Sequence, residues 1–194
     1  MTQAIQSGNM ADATDPRILR SRRMLMDALA RLLSKKEFDD ISIQEIADEA
    51  TLNRATFYLH YPDKSALLQA MTDVRFRDLI ERRGISFTDC NGALRAIALG
   101  VCDYLAESTG CPGQLSKMAL EGSIIPVVEG MFREGLAHRA MAPGIDAALL
   151  ASTAAWAVFG AARRWFQTLD RIPAEEMATK IETMVKPLLL NGFE

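Results

Sequence analysis

The sequence between residues 15 and 83 is divided by residues that typically begin helices, and their spacing allows few folds. Each carries a short side chain whose oxygen can accept a hydrogen bond from a free N–H group of the first helical turn. They are Asp15, followed by a proline; Ser42, with a glutamate three positions later; Asn53; and Asp63, just after a proline. The spacing predicts a first helix from 16 to about 34, a short helix over about 43–50, a third of about seven residues after Asn53, and a long fourth running toward Gly84.

The two short helices and the turn between them, at Thr51 and Leu52, have the layout of a helix-turn-helix, whose second helix lies in the major groove of DNA. The stretch "NRATFYLHYPDK", residues 53–64, supports this interpretation, because its crowded aromatic side chains cannot all face one core. Phe57 can pack inward on Ile46 and Leu25. Other side chains are then left to contact phosphates and base edges, namely Arg54, Thr56, Tyr58 and His60.

The net charge is −3 over 194 residues, which argues against a nucleic-acid-binding protein with a uniformly basic surface. The excess of acidic residues lies after residue 83, and the first predicted helix carries a local basic cluster, which is sufficient for phosphate contacts. Its members are Arg17, Arg20, Arg22 and Arg23. For Arg22 and Arg23 two interpretations stay open, a phosphate contact and a solvated helix face.

The segment "ISIQEIADEATLNRATFYLHYPDKSALLQAM", residues 41–71, resembles the DNA-binding segment of the TetR family of bacterial transcriptional regulators. The matching residues are Thr56, an apolar residue at 57, Tyr58, His60, an aromatic residue at 61 and Lys64, after an apolar pattern that includes Ile43 and Ile46. The resemblance implies an all-α protein, with an N-terminal three-helix helix-turn-helix domain and a larger helical ligand-binding and dimerisation domain. We expect a disordered tail over 1–14, the DNA-binding domain over 15–62, a connecting helix over 63–84 and the helical domain over 85–194.

The resemblance also implies a role for each matching residue. Arg54, Ala55 and Thr56 would approach bases, whereas Tyr58, His60 and Lys64 would hold phosphates. The helix start at Ser42 and Ile43 would do the same, and Asn53 belongs to this DNA-binding set. Phe57 and Tyr61 would lie in the core. Where the family usually has glycine this chain has Thr51, so the turn either has another shape or carries strain of about 1–2 kcal/mol.

The second part of the chain is punctuated by glycine and proline, which predicts five further helices. They are expected at about 89–108, 114–121, 123–138, 145–168 and 174–190, with Pro126 in the first turn of its helix. The fourth of these is apolar on nearly all sides from Ile145 to Phe159 and must be buried on most of them. Together with the last helix it suits a symmetric homodimer interface; burial within one chain is the alternative.

Several large side chains in this part are candidates for a ligand pocket, although packing in the core is the alternative for each of them. The candidates are Tyr104, Met118, Phe132, Trp156 and Phe159. A pocket built from them would be mostly apolar, which favours a small apolar or aromatic inducer over a sugar or phosphate.

No sequence motif indicates an enzyme, a metal site or a cofactor, and the three cysteines form no C-x-x-C pair. The longest uncharged stretch, residues 147–162, is too short to span a membrane. No basic-then-apolar leader opens the sequence, so we expect a cytoplasmic protein. The sequence therefore predicts a homodimeric regulator, most simply a repressor that binds double-stranded DNA at a near-palindromic operator and releases it on binding an inducer. The alternatives are an all-helical protein-interaction module and a constitutive regulator without a small-molecule inducer.

Overall fold

The computed structural model describes residues 15–83, 90–108, 117–137 and 139–192. The described part of the chain is built from α-helices, which confirms the predicted all-α class. The helices are α1 (Pro16–Leu33), α2 (Ile43–Glu49), α3 (Arg54–His60), α4 (Lys64–Arg82), α5 (Cys90–Ser108), α6 (Lys117–Leu136), α7 (Ala147–Phe166) and α8 (Ala174–Leu190). A single 3-10 turn, Phe38–Asp40, precedes α2.

Each of the first four helices begins at the residue that the sequence predicts. The capping side chains accept hydrogen bonds from backbone N–H groups of the first turn, which would otherwise have no partner. The bonds join Asp15 to Arg17 N at 2.8 Å, Ser42 to Glu45 N at 3.2 Å, Asn53 to Ala55 N at 2.6 Å and Asp63 to Ala66 N at 2.8 Å. At α2 the Glu45 carboxylate bonds back to the Ser42 backbone, which completes the predicted capping box.

The first three helices and the start of α4 enclose one hydrophobic cluster. Phe57 on α3 is fully buried in it together with Leu25 and Ile46, as the sequence predicts. Leu67 and Leu68, in the first two turns of α4, belong to the same cluster. The short helices α2 and α3 are therefore held in place by tertiary packing, since isolated helices of seven residues are unstable in water.

A second, larger hydrophobic cluster lies among α4 to α8. It contains Phe76 and Leu79 from the later turns of α4, so this one helix contributes to both clusters. Gly100 allows α5 to approach α4 closely, because a Cβ atom at that position would lie 2.9 Å from the ring Cζ of Phe76. At the end of α4, Arg83 bonds to Asp103 on α5 and to Glu175 on α8. Helix α4 is thus anchored at both ends.

The predicted break near residue 122 is wrong, because α6 is continuous where two helices were expected over 114–121 and 123–138. Pro126 lies in the middle of α6 and not in a first turn. It leaves the carbonyl of Gly122, four residues earlier, without its usual helical donor. The helix continues because burial of the flanking apolar residues outweighs this local cost. These residues are Ile124, Ile125, Val127 and Val128.

Helix α7 is buried on one face only, so the expectation of burial on most sides is partly wrong. Leu150, Ala154, Ala155 and Phe159 lie in the second cluster. Trp156 points the other way, and its side chain is 53% exposed. Among the described helices, none is long and apolar enough to cross a membrane.

Candidate nucleic-acid interface

The face that α3 presents to solvent is set by the two aromatic residues that anchor it. Phe57 and Tyr61 are buried in the first cluster, which confirms their predicted place in the core. Because helical neighbours are about 100° apart, Ala55 and Leu59 both point about 160° away from Phe57. Leu59 is 81% exposed. Ala55 and Leu59 thus form the outermost ridge of α3. Arg54 and Tyr58 lie on one flank of this ridge, and Thr56 and His60 lie on the other.

Arg54 and Tyr58 form a pair on the first flank. The Nη2 atom of Arg54 donates a hydrogen bond to the Tyr58 hydroxyl oxygen at 3.1 Å, and its guanidinium carbon lies 5.6 Å from the centre of the Tyr58 ring. Both side chains are exposed. This contact restricts the rotamers of Arg54 and holds its remaining N–H donors on the outer surface of α3. Arg54 can therefore reach a guanine or a phosphate without first being ordered.

His60 lies on the second flank, near an arginine of α1. Partial burial and the neighbouring Arg22 guanidinium hold the pKa of the His60 imidazole below its usual 6.5. The Nε atom of Arg22 is buried and has no hydrogen-bond partner within the described residues. Arg22 is half-buried, so it is more constrained than a solvated helix face would be. A phosphate beside His60 could also bind the accessible part of the Arg22 guanidinium, although the buried Nε atom would stay out of its reach.

The start of α2 is already occupied by internal hydrogen bonds. The Oε2 atom of Glu45 accepts from the Ser42 backbone N–H at 2.9 Å and from the Ser42 hydroxyl at 2.8 Å. Lys36 donates to the other oxygen of Glu45. These bonds, that from Lys36 first, lower the pKa of Glu45 to about 2. The carboxylate is charged at neutral pH and disfavours a phosphate close to Ser42, whereas the backbone N–H of Ile43 takes part in none of these bonds.

Lys64, the first residue of α4, points toward the protein and not outward. Its ammonium group donates to the backbone carbonyl oxygens of Phe38, Asp39 and Ile41 at 2.9, 3.0 and 2.9 Å. It also lies 4.8 Å from the centre of the Phe38 ring. An ammonium has three N–H donors, so all of them are engaged. A phosphate could bind Lys64 only by displacing one of these carbonyl groups.

The turn between α2 and α3 is strained at Thr51. This residue has φ of 56°, in the left-handed region that a β-branched side chain adopts at a cost. Of the two outcomes that the sequence leaves open for this turn, the strained one is found. Leu52, the next residue, donates its N–H to the Ala47 carbonyl at 2.9 Å, which closes the turn and fixes the angle between α2 and α3.

The predicted pocket residues are only partly brought together. Tyr104, Phe132 and Phe159 are buried in the second cluster, and the Tyr104 hydroxyl lies 3.1 Å from the hydroxyl of the buried Thr72 on α4. Trp156 is a correction, because it lies on the exposed face of α7, away from these three rings. The side chain of Met118 lies outside the described residues.

Sequence reasoning missed Leu59 as a candidate site residue. The DNA-binding interpretation rested on the polar side chains around it, and the apolar residue between Tyr58 and His60 was given no role. The signal was available, however, because positions four residues apart on a helix share a face, and Leu59 shares the face of Ala55.

Comparisons with known proteins agree with this geometry. Residues 25–71 match the family model described as "Bacterial regulatory proteins, tetR family". The HTH-type regulator EthR of Mycolicibacterium smegmatis is 28% identical over 159 residues, which cover 79% of this chain and 66% of EthR. The uncharacterized HTH-type regulator YxbF of Bacillus subtilis is 34% identical over 99 residues, 50% of this chain and 26% of YxbF. The match thus spans less than two thirds of the length of either relative.

Solved structures share the fold over nearly the whole chain. A TetR-family regulator from Streptomyces coelicolor superimposes with a TM-score of 0.61 and 16% identity, covering 91% of this chain and 98% of that one. Since this identity is low, the likeness concerns the arrangement of helices and not the residues that contact ligands.

Proposed function

Since this chain belongs to the TetR family of bacterial regulatory proteins, we propose that it is a DNA-binding transcriptional regulator, most simply a repressor, that acts in the cytoplasm. The observation that carries the proposal is the outer face of α3. Two buried rings, Phe57 and Tyr61, anchor the helix, and the side chains between them project from the surface. A short helix with this presentation fits the major groove.

The roles that we propose for α3 follow from the side chains that flank its ridge. Arg54, held by Tyr58, would form a bidentate hydrogen bond with the O6 and N7 atoms of a guanine. Ala55 and Thr56 lie beside it at the helix start. Tyr58 and His60, on opposite flanks, would contact phosphates on the two walls of the groove. Asn53 acts through the cap that it forms on α3. For Lys64 and Ser42, whose donors are engaged internally, we propose that they position α2 for a phosphate at the Ile43 backbone.

We further propose that two copies associate through α7 and α8. On α7 an exposed stripe runs through Leu149, Thr153, Trp156 and Gly160, and on α8 Met184 and Leu190 are exposed. A Cβ atom at Gly160 would meet no described atom within 4 Å, so a second helix can approach closely there. Pairing of the two stripes about a twofold axis would bury them and would place two α3 helices to read a near-palindromic operator.

The proposed inducer would act through α4, which contributes to both hydrophobic clusters. The interior of the second cluster combines the rings of Tyr104, Phe132 and Phe159 with the hydroxyl pair of Thr72 and Tyr104. This composition favours a small apolar or aromatic molecule with one polar group. A ligand that tilts α4 would change the separation of the two α3 helices. A hundredfold loss of DNA affinity requires about 2.7 kcal/mol of coupling. A regulator without an inducer is the alternative for this part of the proposal.

The test begins with selection of duplexes from a random pool by the full chain, followed by anisotropy titrations at several salt concentrations. We expect a negative slope of log K on log salt, because phosphate contacts release counterions. Arg54→Ala should lose about 1–3 kcal/mol of the free energy of operator binding, and it should relax the base preference at one position per half-site. Arg133→Ala, which changes an exposed arginine on α6, is the matched control. Binding without salt dependence, or no selection at all, would favour the protein-interaction module.

A further inference from the structure

Leu59 is an apolar side chain at the centre of the proposed DNA-binding surface. It is 81% exposed, although the core of this domain lies only two residues away at Phe57 and Tyr61. Those two rings already fill the position between α3 and the rest of the domain. A leucine on the opposite side of the helix cannot turn into that core. Its exposure is therefore a consequence of the register of α3.

The neighbours of Leu59 set out how this surface can meet a duplex. Arg54 and Tyr58 lie on one side of it, and Thr56 and His60 on the other, so the polar groups stand along both flanks. Ala55, one turn earlier, is the only other residue on the ridge itself. The ridge of α3 is thus apolar, whereas its flanks carry hydrogen-bond donors.

A duplex offers few apolar groups to such a ridge. Phosphates and sugars line the walls of the major groove, and the base edges on its floor present donors, acceptors and the C5-methyl group of thymine. A leucine side chain cannot bond to a phosphate, and against a donor or acceptor edge it would remove water without replacing the hydrogen bond. Contact with a thymine methyl displaces no hydrogen-bonded water from a donor or acceptor, and it buries apolar surface on both partners.

We propose that Leu59, together with the methyl group of Ala55, reads thymine through its C5-methyl group and so determines part of the operator sequence. This inference rests on the proposed function, since it assumes that α3 enters the major groove. The residues of the ridge then contact thymine, and those of the flanks contact guanine and phosphate. The selected operator should therefore carry thymine in each half-site, next to the base pair that Arg54 contacts.

The test removes only the methyl group. A selected duplex is amplified once with dTTP and once with dUTP, which replaces every thymine in the amplified strands by uracil and keeps all hydrogen-bonding groups. For the unmodified protein we expect about tenfold weaker binding to the uracil duplex, if one methyl contact is lost in each of two half-sites. Leu59→Ala should bind the thymine duplex more weakly and should lose most of the thymine-to-uracil ratio.

Leu169→Ala is the matched control, because Leu169 is almost fully exposed in the segment between α7 and α8, away from α3. It should keep the full ratio. The inference is overturned if the unmodified protein binds the two duplexes equally, or if Leu59→Ala keeps the whole ratio while remaining folded by circular dichroism. In both of those cases binding to the thymine duplex still supports the regulator. Failure of the unmodified protein to select any duplex from the random pool would instead reject the proposed function.

Discussion

The ammonium nitrogen of Lys64, at the start of α4, lies 2.9 Å from the carbonyl oxygen of Ile41, directly ahead of α2. Two further carbonyl groups of the preceding turn bind the same nitrogen. The first residue of the connecting helix is therefore fixed to the backbone that leads into the helix-turn-helix. A displacement of α4 must move this turn with it, which gives a physical path from the second cluster to α3.

We expect Lys64→Met to destabilise the DNA-binding domain. The substitution keeps an unbranched side chain that is one atom shorter and removes the charge and the donors, so three carbonyl groups lose their hydrogen-bond partner. Charge-assisted hydrogen bonds of this kind predict a loss of about 2–3 kcal/mol in the free energy of unfolding, measured with urea. Lys180→Met is the control, because Lys180 is exposed on α8 and its ion pair among the described residues is a surface i,i+4 contact with Glu176.

The salt dependence of DNA binding separates the two roles of Lys64. A positioning residue should leave the slope of log K on log salt unchanged in Lys64→Met, whereas a lost phosphate contact should reduce it by about 1. An unchanged free energy of unfolding together with a reduced slope would contradict the positioning role and restore the direct contact.

We expect substitutions that relieve the left-handed backbone at Thr51 to stabilise the protein. Thr51 has φ of 56°, so asparagine, which tolerates this region, should raise the free energy of unfolding by about 1 kcal/mol. Glycine removes the strain too, but it adds entropy to the unfolded chain and should gain less. Thr51→Ala, without the branch but with a Cβ atom, is the intermediate case. A loss of stability in Thr51→Asn would show that the hydroxyl or methyl of Thr51 makes a contact that outweighs the strain.

Local signals were sufficient to predict the first half of the fold. The capping residues Asp15, Ser42, Asn53 and Asp63 act within three residues of their own position, and all four helices begin where they indicate. The inward position of Phe57 followed from helical periodicity. The strain at Thr51 was predicted as one of two outcomes, because a residue type constrains the backbone angles without fixing them.

The predictions that depended on distant residues were less successful. Lys64 binds carbonyl groups more than twenty positions earlier, and no pattern in the sequence identifies such partners. The helix α6 passes through Gly122 and Pro126 because its apolar residues are buried by other helices. The outward position of Trp156 depends on which face of α7 packs against α5 and α6, and the largely apolar sequence of α7 before Arg163 does not distinguish that face.

We expect DNA binding to strengthen as pH falls through the range in which His60 titrates. In the free protein partial burial and Arg22 keep the pKa of His60 below 6.5, so the imidazole is neutral at pH 7. A phosphate beside both groups stabilises the protonated imidazole and raises its pKa, and binding then takes up a proton. Affinity should rise by up to about tenfold between pH 7.5 and 5.5, if the pKa rises by about one unit.

The stability of the free protein should change in the opposite direction. The pKa of His60 is lower in the folded than in the unfolded state. Titration of His60 therefore leaves the free energy of unfolding unchanged above about pH 6.5, and it lowers that free energy as pH falls through the depressed pKa. His60→Gln should flatten both pH profiles. His138→Gln, at the chain's other histidine, should leave the DNA-binding profile as it is. A pH-independent affinity in the unmodified protein would exclude a phosphate at His60.

Substitutions at the adjacent residues Ala155 and Trp156 test the fold and the proposed dimer separately. Ala155 is fully buried in the second cluster, whereas Trp156 is 53% exposed on the outer stripe of α7. Ala155→Arg places an unpaired charge in the core, and we expect it to cost several kcal/mol and to abolish cooperative unfolding. Trp156→Arg introduces the same charge one position later on the same helix, where it contacts solvent in a single chain.

Trp156→Arg should therefore fold as a monomer. In a twofold interface each copy would bring its own arginine toward the other, which adds like-charge repulsion to the loss of two buried indole rings. Sedimentation at micromolar concentration should show a dimer for the unmodified protein and a monomer for Trp156→Arg, with an unchanged circular dichroism spectrum. DNA affinity should fall steeply, because one α3 helix alone contacts half of a near-palindromic site. A stable Trp156→Arg dimer would place the association surface elsewhere on the molecule.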